Sequence, residues 1–355
     1  MLKHIPILFL LTLSCVSSAF AGNATELIRT ADKYFAEGSY SMAVDSYTEA
    51  IDSDPTAGVP YHLRGRTFFY LGKYSEAEMD YASAIALIPR DPSPYIGRSR
   101  CRILRGDYNG ALEDSVAALK MGGGVSAAQL TGFILYEKES YNDSIRLFDA
   151  VLKQRPSDSD ALLYKAMAYE KLEDYPNAVE TYTELLNVHK NRPVAWFNRA
   201  NCYMALSLDH DAIKDYTRSL ELNPQNLPAY YNRGLLYEKD GKNYEAIMDY
   251  SEAAVYAPKN ATLLSKLAWL LATTDDSRIT EAGSQAVVYA QKAVALTNNE
   301  DYKSLHILAA SMAKASRYGE AAKAEKEAMM LLEQQGNHKQ AMLFQKDLDR
   351  YEEMF

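Results

Sequence analysis

Histidines, cysteines, paired carboxylates and glycine-rich loops supply most catalytic sites, and in this sequence they are dispersed. The six histidines are His4, His62, His189, His210, His306 and His338. They form no HExxH pair, and none stands at metal-ligand spacing from a cysteine. There is no GxxxxGK phosphate loop, no dinucleotide fingerprint and no GxSxG elbow. The acid pair Asp275-Asp276 reads as solvated loop rather than as a general acid and base. No enzyme, cofactor or metal is expected from this inventory. What remains is the chemistry of recognition. Arg64, Arg66, Arg98, Arg100, Arg102 and Arg105 concentrate positive charge in a chain of net charge -9. Guanidinium forks suit carboxylates, so an acidic partner is one reading of this cluster. Arg98, Arg102 and Arg105 share one helical face by spacing.

Positioning such side chains is the task of helices. Apolar residues recur at three and four spacing almost throughout, which predicts an all-α chain. Self-similarity at about 34 residues dominates. Tyr61-His-Leu-Arg-Gly65 reappears as Tyr230-Tyr-Asn-Arg-Gly234, and Tyr40-Ser-Met-Ala43 as Tyr74-Ser-Glu-Ala77. Each unit reads as two helices joined by a tight turn. Gly38, Gly72, Gly106 and Gly241 fall at that turn, where a left-handed backbone favours glycine. Pro55, Pro89, Pro156, Pro224 and Pro258 end five units, because proline stops the second helix. Asp91 and Asn260 are expected N-caps just beyond.

These residues carry a resemblance to the tetratricopeptide repeat (TPR) family over roughly residues 24 to 333. The family places a small residue on its first helix, matched by Ala31, Gly65, Ser99, Gly132, Ala166, Ala200, Gly234, Ala268 and Ala309. It places another early on the second helix, matched by Ala43, Ala77, Ala111, Ser144, Ala178, Ala212, Ala246, Ala286 and Ala321. The large partner between them is usually aromatic, as at Tyr47, Tyr81, Phe148, Tyr182, Tyr216 and Tyr250. The resemblance implies an all-α, right-handed superhelical solenoid of about nine repeats. Three places depart from the pattern. Arg102 and Ser115 stand where large apolar residues are expected, and their unit ends in Gly122-Gly123-Gly124 instead of proline. This predicts a hinge separating repeats 1–3 (24–124) from repeats 4–9 (125–333). About six extra residues near Thr274 to Thr280 lengthen one turn. Residues 334–355 are expected to form a C-terminal capping helix, with Ala341, Phe344, Leu348 and Tyr351 on its covering face.

In such a solenoid the first helices line the concave face. The resemblance therefore implies a partner groove that includes His62, Arg66, Phe69, Arg100, Gln129, Phe133, Tyr136, Phe197, Asn201, Tyr231, Asn232, Lys266 and Trp269. Aromatic rings next to amides and cations suit a protein or peptide partner. Some members hold a C-terminal carboxylate with lysines and asparagines of three consecutive units. Asn201, Asn232 and Lys266 fall at three such places, but Phe197 and Thr262 replace two of the lysines. Arg64, Arg98, Arg199 and Arg233 occupy one repeated place and are expected to pair with acids of the neighbouring helix.

Residues 1–21 read as a secretory signal peptide. Lys3 and His4 precede an apolar run from Ile5 to Val16, too short for a comfortable membrane span. Ala19-Phe20-Ala21 is a small-x-small cleavage site, which makes Gly22 the expected first residue of a periplasmic or secreted protein. Lipidation at Cys15 is the alternative, with the chain then a lipid-anchored pilot for an outer-membrane assembly; Thr12-Leu13-Ser14 is a poor lipobox. Cys101 and Cys202 lie three repeats apart, beyond disulfide reach, and read as small buried residues. Loss of Lys3 with the leader takes the charge to about -10, which argues against nucleic acid and anionic lipid.

Overall fold

The computed structural model describes residues 24–355, so Cys15 and the leader lie outside the described residues. Among the described residues there are nineteen α-helices and no strand. They divide into two compact units, one ending at Val188 and one running from His189.

The first unit contains five helix pairs. α1 covers 24–36 and α2 Tyr40–Ser53. α3 (Gly58–Tyr70) pairs with α4 (Tyr74–Leu87), and α5 (Pro92–Leu104) with α6 (Tyr108–Lys120). α7 (Gly124–Glu137) pairs with α8 (Tyr141–Gln154), and α9 (Ser159–Lys171) with α10 (Tyr175–Val188). The second unit contains four pairs: α11 (Pro193–Ala205) with α12 (Asp209–Leu222), and α13 (Leu227–Lys239) with α14 (Asn243–Tyr256). α15 (Ala261–Thr273) then pairs with α16 (Ala282–Leu296), and α17 (Tyr302–Lys314) with α18 (Tyr318–Gln334). A final helix, α19 (His338–Met354), packs on α18.

Each pair is held by the same device. The small residues on both helices are buried in all nine pairs, so the two backbones meet closely. In six of the pairs an aromatic side chain four residues beyond the second small residue fills the space beside the crossing, and Tyr47, Tyr182, Tyr216 and Tyr250 are fully buried. Gly234 shows why the place must stay small. A Cβ there would lie 2.7 Å from the Tyr250 ring, below any real contact. Where serine stands instead, its hydroxyl donates to the facing backbone: Ser99 Oγ to Ala111 O and Ser144 Oγ to Gly132 O, both at 2.8 Å.

The expected turn glycines Gly38, Gly72, Gly106 and Gly241 all have positive φ. Glu139, Glu173, Ser207 and Ser316 adopt the same left-handed conformation in the other tight turns, without glycine's freedom. Asp91 caps α5 through Ser93 N at 2.8 Å, and Asn260 caps α15 through Leu263 N at 3.1 Å. The long turn falls between Thr273 and Ala282, as the inserted residues require. On α19, Ala341, Phe344, Leu348 and Tyr351 are the buried residues, and they close one core with Leu305, Leu308 and Leu332. Each large side chain so buried contributes about 2 kcal/mol.

Candidate functional site

Local packing decides which polar groups of the first helices remain open. Arg64, Arg98, Arg199 and Arg233 are consumed, as their shared place suggested. Arg64 grips Asp80 with Nε and Nη2, both at 2.8 Å, and Arg233 grips Asp249 at 2.8 and 2.7 Å. A third guanidinium nitrogen reaches Thr48 from Arg64 and Thr217 from Arg233. Arg98 and Arg199 make the same two-pronged contact with Asp114 and Asp215. The hydrogen bonds to Asp80 and Asp114 hold the Arg64 and Arg98 guanidinium groups above the ordinary arginine range.

Arg102 and Arg105 are also engaged. Arg102 reaches Glu78, Asp107 and Asp114, and Arg105 Nη1 lies 2.6 Å from Glu78. An ionic network thus occupies the place of the missing apolar side chain, while Ser115 is fully buried and donates to Leu112 O. Arg66 stacks its guanidinium 4.3 Å from the Phe35 ring centre and approaches Asp32 at 3.8 Å. Arg100 differs: it is exposed and forms no ion pair among the described residues.

Arg100 sits at the rim of a cavity of about 340 Å³ in the first unit, built by α5, α7, α8 and α9. Gln129, Phe133, Asp160 and Tyr164 line it, with Phe148 behind. Phe133 meets Tyr164 edge-on at 5.2 Å, and Tyr164 stacks on Phe148 at 6.0 Å. The Gln129 amide is fixed by donating to Asp158 at 2.8 Å. Three expected groove residues, Arg100, Gln129 and Phe133, are thereby brought together. Tyr136 is buried instead, and its ring packs on Tyr141 and Tyr164. His62 stands on α3, its ring 5.7 Å from Tyr81. Burial pushes its imidazole below the ordinary range, and its Nδ1 has no protein partner. Phe69 packs on Tyr74 at 5.5 Å.

In the second unit, Phe197 and Tyr231 are half-buried ledges, 5.8 Å from Tyr216 and 5.7 Å from Tyr250. Asn201, Asn232 and Tyr216 form a closed set. Tyr216 Oη donates to Asn201 Oδ1 at 2.6 Å, and Asn232 Nδ2 donates to Asn201 Oδ1 at 3.1 Å and to Tyr216 Oη at 3.2 Å. Lys266 pairs with Glu238 at 2.8 Å, and Tyr250 donates to the same carboxylate. The three clamp-like residues are thus committed to neighbours, which counts against a carboxylate clamp. Trp269 is 39% exposed, with its ring 5.9 Å from His306.

His306 continues the first-helix stripe. It stands three residues before the small Ala309, as His62, Phe197 and Tyr231 stand before Gly65, Ala200 and Gly234. Among the described residues, no helix is long and apolar enough to cross a membrane.

Four family models, each described as tetratricopeptide repeat, match residues 60–91, 134–195, 193–226 and 215–248. No curated protein matches the chain significantly. Among solved structures, a tetratricopeptide repeat protein from Parabacteroides merdae is 19% identical with a TM-score of 0.50, over 70% of this chain and 98% of its own. The C-terminal part of a TPR repeat-containing protein from Cytophaga hutchinsonii is 16% identical with a TM-score of 0.58, over 67% and 98%. PilF from Pseudomonas aeruginosa is 15% identical with a TM-score of 0.50, over 57% and 92%. At these identities the likeness is one of fold. Nine helix pairs with buried small residues at both crossing places, together with the four matched repeat segments, make the chain a tetratricopeptide repeat protein.

Proposed function

We propose that this chain is a non-catalytic scaffold of the cell envelope that holds a partner polypeptide on its first-helix face, with the cavity at Arg100 as the anchor. The cavity carries the reading because it joins an unpaired cation to an aromatic floor. Arg100 is exposed and forms no ion pair among the described residues, while the other five arginines of the cluster are tied to acids or stacked on a ring. The complementary partner is an extended segment with a carboxylate beside an aromatic or aliphatic side chain: the carboxylate meets Arg100, and the apolar group lies on Phe133 and Tyr164.

A photo-crosslinking residue at Gln129 in cells identifies the partner, and purified partner segment then gives affinities. Phe133→Ala is expected to cost about 2 kcal/mol of binding, and Arg100→Glu at least as much. Unchanged affinity in both variants, with intact helical circular dichroism, rejects the groove. Export rests on the N-terminal sequence. Mass spectrometry of the mature protein is expected to begin at Gly22 in a periplasmic fraction. Diacylated Cys15 in membranes favours the anchored pilot, and intact Met1 in the cytosol overturns both.

A further inference from the structure

One helix pair breaks the pattern in chemically active residues. In six of the nine pairs the second helix places a large aromatic four residues beyond its small residue, and in three of them a ring from the first helix packs on it. These are His62 on Tyr81, Phe197 on Tyr216 and Tyr231 on Tyr250, at 5.7, 5.8 and 5.7 Å. In α17 and α18 the same two places hold His306 and Glu325. The Glu325 carboxylate, with none of its surface exposed, lies against His306 Nδ1 at 2.8 Å through Oε1 and 3.0 Å through Oε2. A charged group fully inside a helical array is costly unless something answers it.

The capping helix brings a third group. Asp347 on α19 reaches the pair, and one ligand-type atom from each of His306, Glu325 and Asp347 lies within 4.8 Å of the others. Two carboxylates thus converge on one imidazole. Lys314 and Arg350 border one cavity with His306 and Asp347, and neither forms an ion pair with these two carboxylates. Lys314 donates to Thr274 O at 2.6 Å and to Asp275 at 2.8 Å, and the Arg350 guanidinium lies 5.7 Å from the Tyr351 ring centre. The imidazole is held in place by stacking on Phe344, with ring centres 4.0 Å apart. A largely polar cavity of about 770 Å³, bordered by Trp269, His306, Asp347 and Tyr351, gives access from solvent.

We propose that His306, Glu325 and Asp347 form a binding site for a divalent transition-metal ion of the zinc class, which clips the capping helix to the last repeat. One imidazole and two carboxylates match the ligand set such ions accept, whereas calcium prefers oxygen alone. Neighbouring ligands around tetrahedral zinc, with bonds near 2.1 Å, lie about 3.4 Å apart. Closure from the present spacing needs side-chain shifts of about 1 Å, and solvent from the cavity completes the coordination. The ligands come from three successive helices, so metal binding favours the docked state of α19 and stabilises that end of the array.

The test uses the untagged, full-length mature protein, stripped with chelator and titrated with zinc chloride by calorimetry and thermal melting. Calcium chloride is the control, and cobalt chloride reports coordination by its visible spectrum. Expected are one equivalent of tightly bound zinc, a raised Tm with zinc and none with calcium, and cobalt bands of low coordination number. Asp347→Asn leaves the His306–Glu325 contact in place and is expected to weaken zinc binding about tenfold or more, while His306→Gln removes the cobalt bands. Circular dichroism checks that both variants fold. Absence of zinc binding in the wild type overturns the proposal and leaves a plain buried ion pair. Zinc binding that persists unchanged in either folded variant overturns it too, placing the metal elsewhere.

Discussion

At the scale of single residues, one ion pair recurs as a structural rivet. Arg233 satisfies both oxygens of Asp249 and also Thr217, and its side chain is only 15% exposed. Removing one partner of such a pair leaves a buried, unanswered charge. Arg233→Ala is therefore expected to lower unfolding stability by about 3 kcal/mol, measured with urea, and Asp249→Ala added to it should restore part of the loss. Glu170 gives a pH-dependent counterpart. Burial raises its carboxyl above the ordinary range, even though Tyr182 donates to it at 3.0 Å. A carboxyl with a raised folded pKa takes up its proton more readily folded than unfolded. Its contribution to stability is thus fully present below the unfolded value and is lost as pH rises through the folded one. Glu170→Gln should be more stable than wild type at neutral pH, and the gap should close below the ordinary glutamate range near about pH 4.3. Denaturant midpoints at a series of pH values check this; a gap that widens on acidification refutes it.

At the scale of the element, the tight turn inside each repeat is the variable part. Its left-handed position is glycine at Gly72 and Gly241 but serine at Ser207, with φ of 59°. A side chain there costs about 1 kcal/mol relative to glycine. Ser207→Gly should therefore raise stability by about that amount, read from the urea midpoint, since the turn's backbone need not move. A loss of stability would mean that the serine hydroxyl contributes more than the strain takes away.

At the scale of the whole molecule, stability in a repeat array is roughly a sum over units and their neighbours. The glycine run remains the place where we expect that sum to be interrupted. Gly122 and Gly124 both have positive φ, and a Cβ on Gly123 would meet Ala118 O at 2.8 Å, so this turn uses glycine three times over. Ordering three glycines loses more chain entropy than any proline-ended junction. Hydrogen exchange is expected to show weak protection across residues 100 to 126 and separate opening of the two flanks. Uniform protection with one cooperative opening would make the glycines an ordinary turn. The compact units themselves divide after Val188, at the junction that precedes Pro193.

The repeat was legible in the sequence because its determinants are local and reiterated. Ala200, Ala212 and Tyr216 fix one crossing, and Gly234, Ala246 and Tyr250 fix the next at the same spacing. Caps such as Asp91, and the covering face of α19, follow from the same short-range rules. Which polar heads stay open was not legible, since that depends on how neighbouring helices are rotated against each other. Asn201 and Asn232 fall at clamp places in the sequence, but only the structure shows Tyr216 joining them. Arg66 and Arg100 occupy the same repeated place, yet only Arg66 finds an acid and a ring. His306, Glu325 and Asp347 carry no motif, because they lie on three separate helices. The sequence by itself determined the array of helix pairs, through periodic small and large side chains. Only the tertiary structure decided which side chains meet, because packing across successive helices joins residues that no spacing along the chain relates.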